Sequence, residues 1–362
     1  MSRPALHKIA PYVPGTSIEE VRRKMGLDRI VKLASNENPL GSSPKAIAAL
    51  GHLDRLHLYF DDSHAELRER LGSRYGLSAE HVVLGHGSNE LVNIAAEMLL
   101  EAGDEAVIPG PSFSLYRLVV SLQGATPVEV PLRDHAHDLD AMLDAITERT
   151  RLIFICDPNN PTGTAIARDA WARFLSRLPA RVTLVVDQAY REYMDASGFD
   201  AAPLAARRTN TLVLRTMSKI YGLASLRFGY GYADAETIGW MNRVRLPFNV
   251  SRPAALGAAG ALDDDAFVAR SIATNEAGKA FLGAEFARLG LRMVPTQANF
   301  YALETPCGAT RAYEDLLQRG IIVRSGDALH LPGYLRVTVG TESENRTLVD
   351  AIEDLLPQWR EA

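Results

Sequence analysis

Cysteine is scarce in this sequence: Cys156 and Cys307 are the only two in 362 residues, and they stand far apart with no CxxC spacing. That speaks against a disulfide framework or a structural zinc site and for a chain that works in a reducing compartment. Long apolar runs are missing too. No stretch approaches the roughly 18 apolar residues of a membrane span, and the opening MSRPALHKIAPYVPG lacks the apolar core of a secretory signal. A cytoplasmic protein with no membrane partner is the expectation. The sequence also lacks a basic excess. With a formal net charge of -5, a broad surface for nucleic acid is not expected, and any anion site must be local. There is no internal repeat and no low-complexity tract.

At 47% hydrophobic composition the chain can bury sizeable cores, and its length allows one large domain with a smaller one. Short apolar runs alternate with longer helical patterns through the middle. That alternation predicts an α/β fold with a mostly parallel sheet flanked by helices. The predicted strands are 81–85 (HVVLG), 105–110 (EAVIPG), 126–132 (TPVEVPL), 151–156 (RLIFIC), 182–187 (VTLVVD) and 211–216 (TLVLRT). Between strands, the segment Glu90 to Glu101 places Leu91, Ile94, Ala95, Met98 and Leu99 on one helical stripe. From about 265 the pattern becomes a long helical stretch, an alternating NFYALE at 299–304, a helix before Gly320, then IIVR and LRVTVGT. The expected division is an N-terminal arm with part of the small domain at 1–39, a large domain at 40–255 and a small α+β domain at 256–362. DDD at 263–265 reads as the charged start of a helix. His135 and His137 are spaced like a metal pair, but no third ligand stands nearby, and no metal is expected.

TMSKIYGLASLRFG, 216–229, sets Lys219 just past a predicted strand end, in apolar and glycine-dotted company, with Arg227 following. In an open α/β sheet that edge is where ligands bind. By residue type alone a solvated loop lysine is the ordinary reading, so Lys219 needs corroboration from other strand ends. In LGHGSNE, 84–90, two glycines lead a strand into a helix, where backbone N–H groups with Ser88 and Asn89 would hold a phosphate. Helix capping is the alternative, and the third glycine of a dinucleotide pattern is missing. In CDPNNPTG, 156–163, Asn160 is a directed donor held by Pro161, or an ordinary turn asparagine. In VVDQAYREY, Asp187 ends a β-branched strand and Tyr190 follows three residues on. A carboxylate at the tip of a buried strand needs a cation or hydrogen bonds, unless it caps the next helix. Arg227 offers a planar fork for phosphate or carboxylate, and the Thr216 and Ser218 hydroxyls suit the same anion. Together these groups describe a site for pyridoxal 5'-phosphate: an amine for the aldehyde, a carboxylate for the pyridine nitrogen, donors for the ring oxygen and a cup for the phosphate.

SNENPLGSSP, GSNE, PSFSLY, DPNNPTG, VDQAY, TMSKIYGLASLRFGY and LRVTVGT follow one another in this order. With these motifs nearly the whole chain resembles the fold-type I pyridoxal phosphate aminotransferases, and within them the histidinol-phosphate aminotransferase group. The resemblance implies a homodimer whose active sites lie at the subunit interface and between the large and small domains. It implies that Lys219 carries the cofactor, Asp187 faces the pyridine nitrogen, and Tyr190 and Asn160 donate to the ring oxygen. Phe113 corresponds to the aromatic stacked on the ring, and Ser88, Asn89, Ser218 and Arg227 to the phosphate cup. Tyr59 resembles the tyrosine that reaches a neighbouring subunit's phosphate, although Phe60 stands where the family more often has proline. Arg336 corresponds to the arginine that grips a substrate carboxylate. Arg324 and Tyr12 match residues that help to hold a substrate phosphate. Gln188 replaces the glutamate that often follows the aspartate, and SGDALHLPGY between the two arginines has no clear match in the family's substrate loop.

The implied reaction is transamination of histidinol phosphate with 2-oxoglutarate in histidine biosynthesis, giving imidazole acetol phosphate and glutamate. An aromatic amino acid aminotransferase and a phosphoamino-acid decarboxylase resembling threonine-phosphate decarboxylase stay open as alternatives. In each transamination the Lys219 amine, once released, would move a proton between the substrate's α-carbon and the cofactor.

Overall fold

The computed structural model describes residues 2, 4–9, 15–54 and 56–361 of the chain. Its strands begin with β1 (Val31–Lys32), β2 (Val82–His86), β3 (Glu105–Gly110), β4 (Thr126–Pro131), β5 (Thr150–Cys156) and β6 (Thr183–Asp187). They continue with β7 (Thr211–Thr216), β8 (Phe228–Tyr232), β9 (Phe300–Glu304), β10 (Ile321–Ile322), β11 (Arg324–Ser325) and β12 (Tyr334–Thr338). Seven strands form a central sheet in the order β2-β8-β7-β6-β5-β3-β4. It is parallel from β4 to β7, whereas β8 runs against both β7 and β2. Two reversals restore direction, so β2 ends at the same edge of the sheet as β5, β6 and β7. The expected α/β architecture with a mostly parallel, helix-flanked sheet is the one observed.

Near-continuous apolar composition makes the central strands suitable for burial on both faces. Ile153, Ile155, Leu184 and Val186 pack into one core, with Trp171 and Phe174 of the helix Arg168–Arg177. Their neighbours Leu152, Phe154 and Val185 point the other way, against Leu91, Ile94 and Ala95 of the helix Ser88–Leu99. A third core lies around β9 and β12, where Tyr301, Leu303 and Val337 meet Ile352 and Trp359 of the helix Glu342–Arg360. There β11-β12-β9 form an antiparallel sheet, and β1 pairs in parallel with β10. The long helix Asp265–Arg288 starts at Asp264, whose carboxylate accepts from the Phe267 backbone N–H, as the DDD cluster predicted.

β3 and β7 occupy their predicted spans, and β2, β4, β5 and β6 differ by a residue at one or both ends. The helix expected from Glu90 begins earlier, at Ser88, because Gly87 takes the N-cap position. Strand β8 was not expected. Its sequence FGYGY carries two glycines, which weaken a strand signal, yet packing requires the first and crowds the second. A Cβ on Gly229 would overlap the backbone N of Ser88, and one on Gly231 would press on Leu212 and Leu214 side chains. His137 donates from Nε2 to the Cys156 carbonyl at 2.7 Å, and His135 packs edge-on against Tyr334. Among the described residues no cluster of three or more His, Cys, Asp or Glu could hold a metal ion, and no helix is long and apolar enough to cross a membrane.

The close approach of β8 to the start of the helix Ser88–Leu99 has a direct test. Gly229→Ala must displace backbone, since no side chain can yield there. The expected cost is about 2–3 kcal/mol of stability, read as a lower midpoint in a denaturant melt; an unchanged midpoint would show that the contact is looser than described.

Candidate active site

The C-terminal ends of β2, β5, β6 and β7 converge on a cavity of about 460 Å³. Lys219 sits in it, on the turn that follows β7. The Ser218 backbone N–H donates to Thr216 Oγ1 at 3.1 Å and shapes that turn. The lysine Nζ donates to the Ser35 carbonyl at 3.0 Å and lies 5.8 Å from the centre of the Tyr190 ring. Burial, helped by the nearby Arg336 charge, lowers its pKa to about 8. A substantial neutral fraction near neutrality is what a nucleophilic amine requires.

Asp187, at the tip of β6, is buried, and that burial raises its pKa. Hydrogen bonds oppose the shift. The Tyr116 hydroxyl donates to Oδ2 at 2.9 Å, and the Ala189 backbone N–H donates to Oδ1 at 3.1 Å. Arg215, buried in β7 and paired with Asp200 at 2.6 Å, adds a favourable field from below. Gln188 faces elsewhere: it bonds the Phe199 carbonyl and the Ala201 N–H, so the departure from glutamate lies outside the cavity.

Asn160 arrives on the loop after β5, beside Asp187, because the Asp157 N–H bonds the Asp187 carbonyl at 2.9 Å. Its Oδ1 accepts from Arg336 Nη1 at 2.8 Å, which leaves the amide nitrogen as its donor end. Arg336 also donates to the Ala34 carbonyl at 2.5 Å. Across the β11–β12 pair Arg324 stands opposite Arg336, and both line the cavity. Phe113 lines it as well, edge-on to Tyr116 with ring centres 5.6 Å apart.

The other end of the cavity is built for an anion. Ser88 and Asn89 open the helix Ser88–Leu99, and no side chain caps that terminus, so their N–H groups are presented to the cavity end. Arg227 Nη1 lies 3.4 Å from Ser218 Oγ and bonds the Ala224 carbonyl at 3.0 Å. Its guanidinium lies so close to Gly87 that a Cβ there would overlap it. Thr216 completes this end.

Thus Ser88, Asn89, Phe113, Asn160, Asp187, Tyr190, Thr216, Ser218, Lys219, Arg227, Arg324 and Arg336 line one cavity. Tyr59 does not line it in this chain: it is 84% exposed and packs on Phe248, with ring centres 4.6 Å apart. Tyr12 lies outside the described residues. Sequence reasoning assigned nothing to Tyr116 or to the Ala34–Asn36 stretch, which touches Arg336, Lys219 and Tyr190. Tyr116 stood in the quoted PSFSLY, three residues after Phe113, and Asn36 in SNENPLG. Their partners are 71 and 154 residues away, which no local pattern reveals.

Residues 28–352 match the family model described as aminotransferase class I and II. The chain is 44% identical to the histidinol-phosphate aminotransferase of Moorella thermoacetica, covering 98% of this chain and 92% of that protein. It is 45% identical to the protein of the same name from Methylobacillus flagellatus, covering 97% and 96%. The chain belongs to the class I and II aminotransferases. Its fold is that of a solved histidinol-phosphate aminotransferase from Sinorhizobium meliloti in complex with pyridoxal-5'-phosphate, with a TM-score of 0.89 at 24% identity over 98% of this chain and 97% of that one. An aspartate aminotransferase from Thermus thermophilus with maleate superposes with a TM-score of 0.84 at 22% identity, covering 98% and 99%.

The cofactor of this aminotransferase is pyridoxal 5'-phosphate, and the residues present fit it. A carboxylate is buried at one end of the cavity with only the fields of Arg215 and Lys219 as cationic compensation, and a protonated ring nitrogen would neutralise it there. An uncapped helix start with Arg227 suits a phosphate at the other end. Between them stand the Lys219 amine and the Asn160 and Tyr190 donors.

Removing the Tyr116 hydroxyl should expose the cost of that buried carboxylate. Tyr116→Phe leaves Asp187 Oδ2 without its donor, a loss of about 1–3 kcal/mol, and raises the carboxyl's pKa further, toward the neutral form that cannot pair with a protonated ring nitrogen. In the aminotransferase this predicts roughly tenfold weaker binding of pyridoxal phosphate, by titration of the apoenzyme, with circular dichroism unchanged.

Proposed function

We propose that the enzyme exchanges the amino group of histidinol phosphate with 2-oxoglutarate, yielding imidazole acetol phosphate and glutamate, a step of histidine biosynthesis. The observation that carries this reading is the pair Arg324 and Arg336, adjacent across β11 and β12 on the wall of the Lys219 cavity. The amino donor bears a phosphate monoester and the acceptor a carboxylate at each end, and two planar cationic forks suit either anion in turn. The names of the curated relatives at 39–45% identity support the same substrate.

Bound pyridoxal phosphate supplies an electron-withdrawing ring that acidifies the α-proton and an aldehyde that exchanges amino groups. The protein's residues would supply the rest. Asp187, held by Tyr116, favours a protonated ring nitrogen and so maintains the electron sink. Phe113 would cover the ring, and Asn160 with Tyr190 would donate to the ring oxygen. Ser88, Asn89, Ser218, Thr216 and Arg227 hold the phosphate through neutral donors, one cation and a helix start. Arg336, fixed by Asn160 and Ala34, orients the substrate's anionic group so that its α-hydrogen faces Lys219. The Lys219 amine then takes that proton and returns it as a general acid.

The same reading places residues 1–39 as an arm joined to the small domain, 40–255 as the cofactor-binding domain and 256–362 as the small domain. It also places the enzyme in the cytoplasm as a homodimer. Tyr59 and Phe248 pack together at the surface in segments that also expose Leu56, Leu58 and Leu246, an apolar area suited to a second copy. In that dimer Tyr59 would reach the partner's site, which agrees with its position outside its own cavity.

Two measurements test the function. The neutral fraction of Lys219 grows as pH passes about 8, so recombination of apoenzyme with pyridoxal phosphate should accelerate to that pH and level off above it. A rate still rising toward pH 10 would place the amine in ordinary solvent. In paired assays on the holoenzyme, 2-oxoglutarate conversion should strongly favour histidinol phosphate over phenylalanine, and Arg324→Ala should lose at least tenfold of that preference. Preference for phenylalanine would make this an aromatic aminotransferase, and carbon dioxide release without 2-oxoglutarate use would make it a decarboxylase.

A further inference from the structure

Asn36 is buried to 1% exposure in the stretch that follows β1, with a backbone φ of 54°. Its side-chain nitrogen donates to the Tyr190 hydroxyl at 3.0 Å. The orientation of that amide follows from the network. The Asn36 backbone N–H donates to Thr338 Oγ1 at 2.9 Å, so the threonine proton is available to Asn36 Oδ1, 3.4 Å away. The oxygen end of the amide is thereby turned to Thr338 and the nitrogen end to Tyr190. The stretch itself is anchored on both sides. Asn299 donates to the Asn36 carbonyl, and Asn38 donates to the Ile220 carbonyl at 2.8 Å, one residue beyond Lys219.

A phenol has one proton to give and lone pairs that accept. An amide nitrogen can only donate, so Asn36 occupies a lone pair of Tyr190 and can never receive its proton. We propose that Asn36 is a positioning residue of the aminotransferase: its amide directs the Tyr190 proton away from the β1 side and toward the ring oxygen of the bound cofactor. This rests on the reading of Tyr190 as a donor to that oxygen. Asparagine tolerates the left-handed backbone here, but glycine would do so with less strain. What glycine lacks is the amide, and that difference separates a positioning role from a purely local one. The charged groups around Tyr190 are Lys219, Arg336 and Asp187.

The test uses four holoenzyme variants, Asn36→Asp, Asn36→Gly, Tyr190→Phe and Asn36→Gly with Tyr190→Phe, and follows the cofactor's absorbance against pH. A donor on the ring oxygen stabilises its anion, so losing the donor moves the transition to higher pH. Asn36→Asp keeps the shape but presents acceptors that recruit the phenolic proton. Asn36→Gly keeps the backbone conformation and removes the donor. Both are expected to shift the midpoint upward toward that of Tyr190→Phe, by roughly 0.5 to 1 unit for one neutral hydrogen bond, and the double variant is expected to match Tyr190→Phe alone. If Tyr190→Phe shifts the midpoint while neither Asn36 variant does, the role of Asn36 is overturned and that of Tyr190 stands. A double variant that shifts further than Tyr190→Phe shows Asn36 acting by another route and overturns it equally. If Tyr190→Phe leaves the midpoint in place, the reading of Tyr190 falls and the proposal falls with it.

Discussion

A carboxylate sealed at the tip of a central strand is the constraint around which this site is organised. Asp187 cannot shed its burial, because β6 lies between β5 and β7 with helices over both faces. A buried charge without compensation is among the costliest features a fold can carry. The molecule compensates it partially, with a phenol, a backbone amide and the field of Arg215. Partial compensation leaves room for a cation, and a protonated pyridine is one. In the proposed reaction the electron sink would draw on this electrostatic cost, which the protein's own groups relieve only in part.

The remaining groups stand at fixed stations along the same sheet edge. Parallel strands end together, so β5, β6 and β7 deliver Asn160, Asp187 and Lys219 side by side. The two reversals through β8 bring the end of β2, and with it the helix start at Ser88, onto the same edge. Gly229 of β8 is what permits that helix start to come so near. Arg324 and Arg336 reach the same cavity from a different layer, the antiparallel sheet. The stretch from Ala34 to Asn38 joins the two layers. It accepts from Arg336 and Lys219 and donates to Tyr190, so one short stretch of chain holds all three side chains.

Much of this was legible in the chain. Strands buried on both faces leave dense apolar runs, which is why β3 and β7 appear at their predicted limits. Lys219, Asp187, Asn160 and Arg227 stand beside turn residues at strand ends, where side chains of their chemistry have few structural uses. β8 escaped notice because its requirement for glycine comes from a helix over 130 residues earlier in the chain, not from its own neighbours. Tyr116 reads locally as one aromatic on a helix, and Asn36 as a turn residue, because each acquires its meaning from one distant hydrogen bond.

The sequence by itself determined the class of fold, the family and the inventory of groups suited to a phosphorylated aromatic aldehyde, since periodicity and short motifs are properties of local chain. Only the tertiary structure decided which hydrogen bond satisfies Asp187, which end of Asn160 is left to donate, and which residue stands behind Tyr190. Those choices depend on distances between segments far apart in the chain, and a hydrogen bond is decided within a few tenths of an ångström.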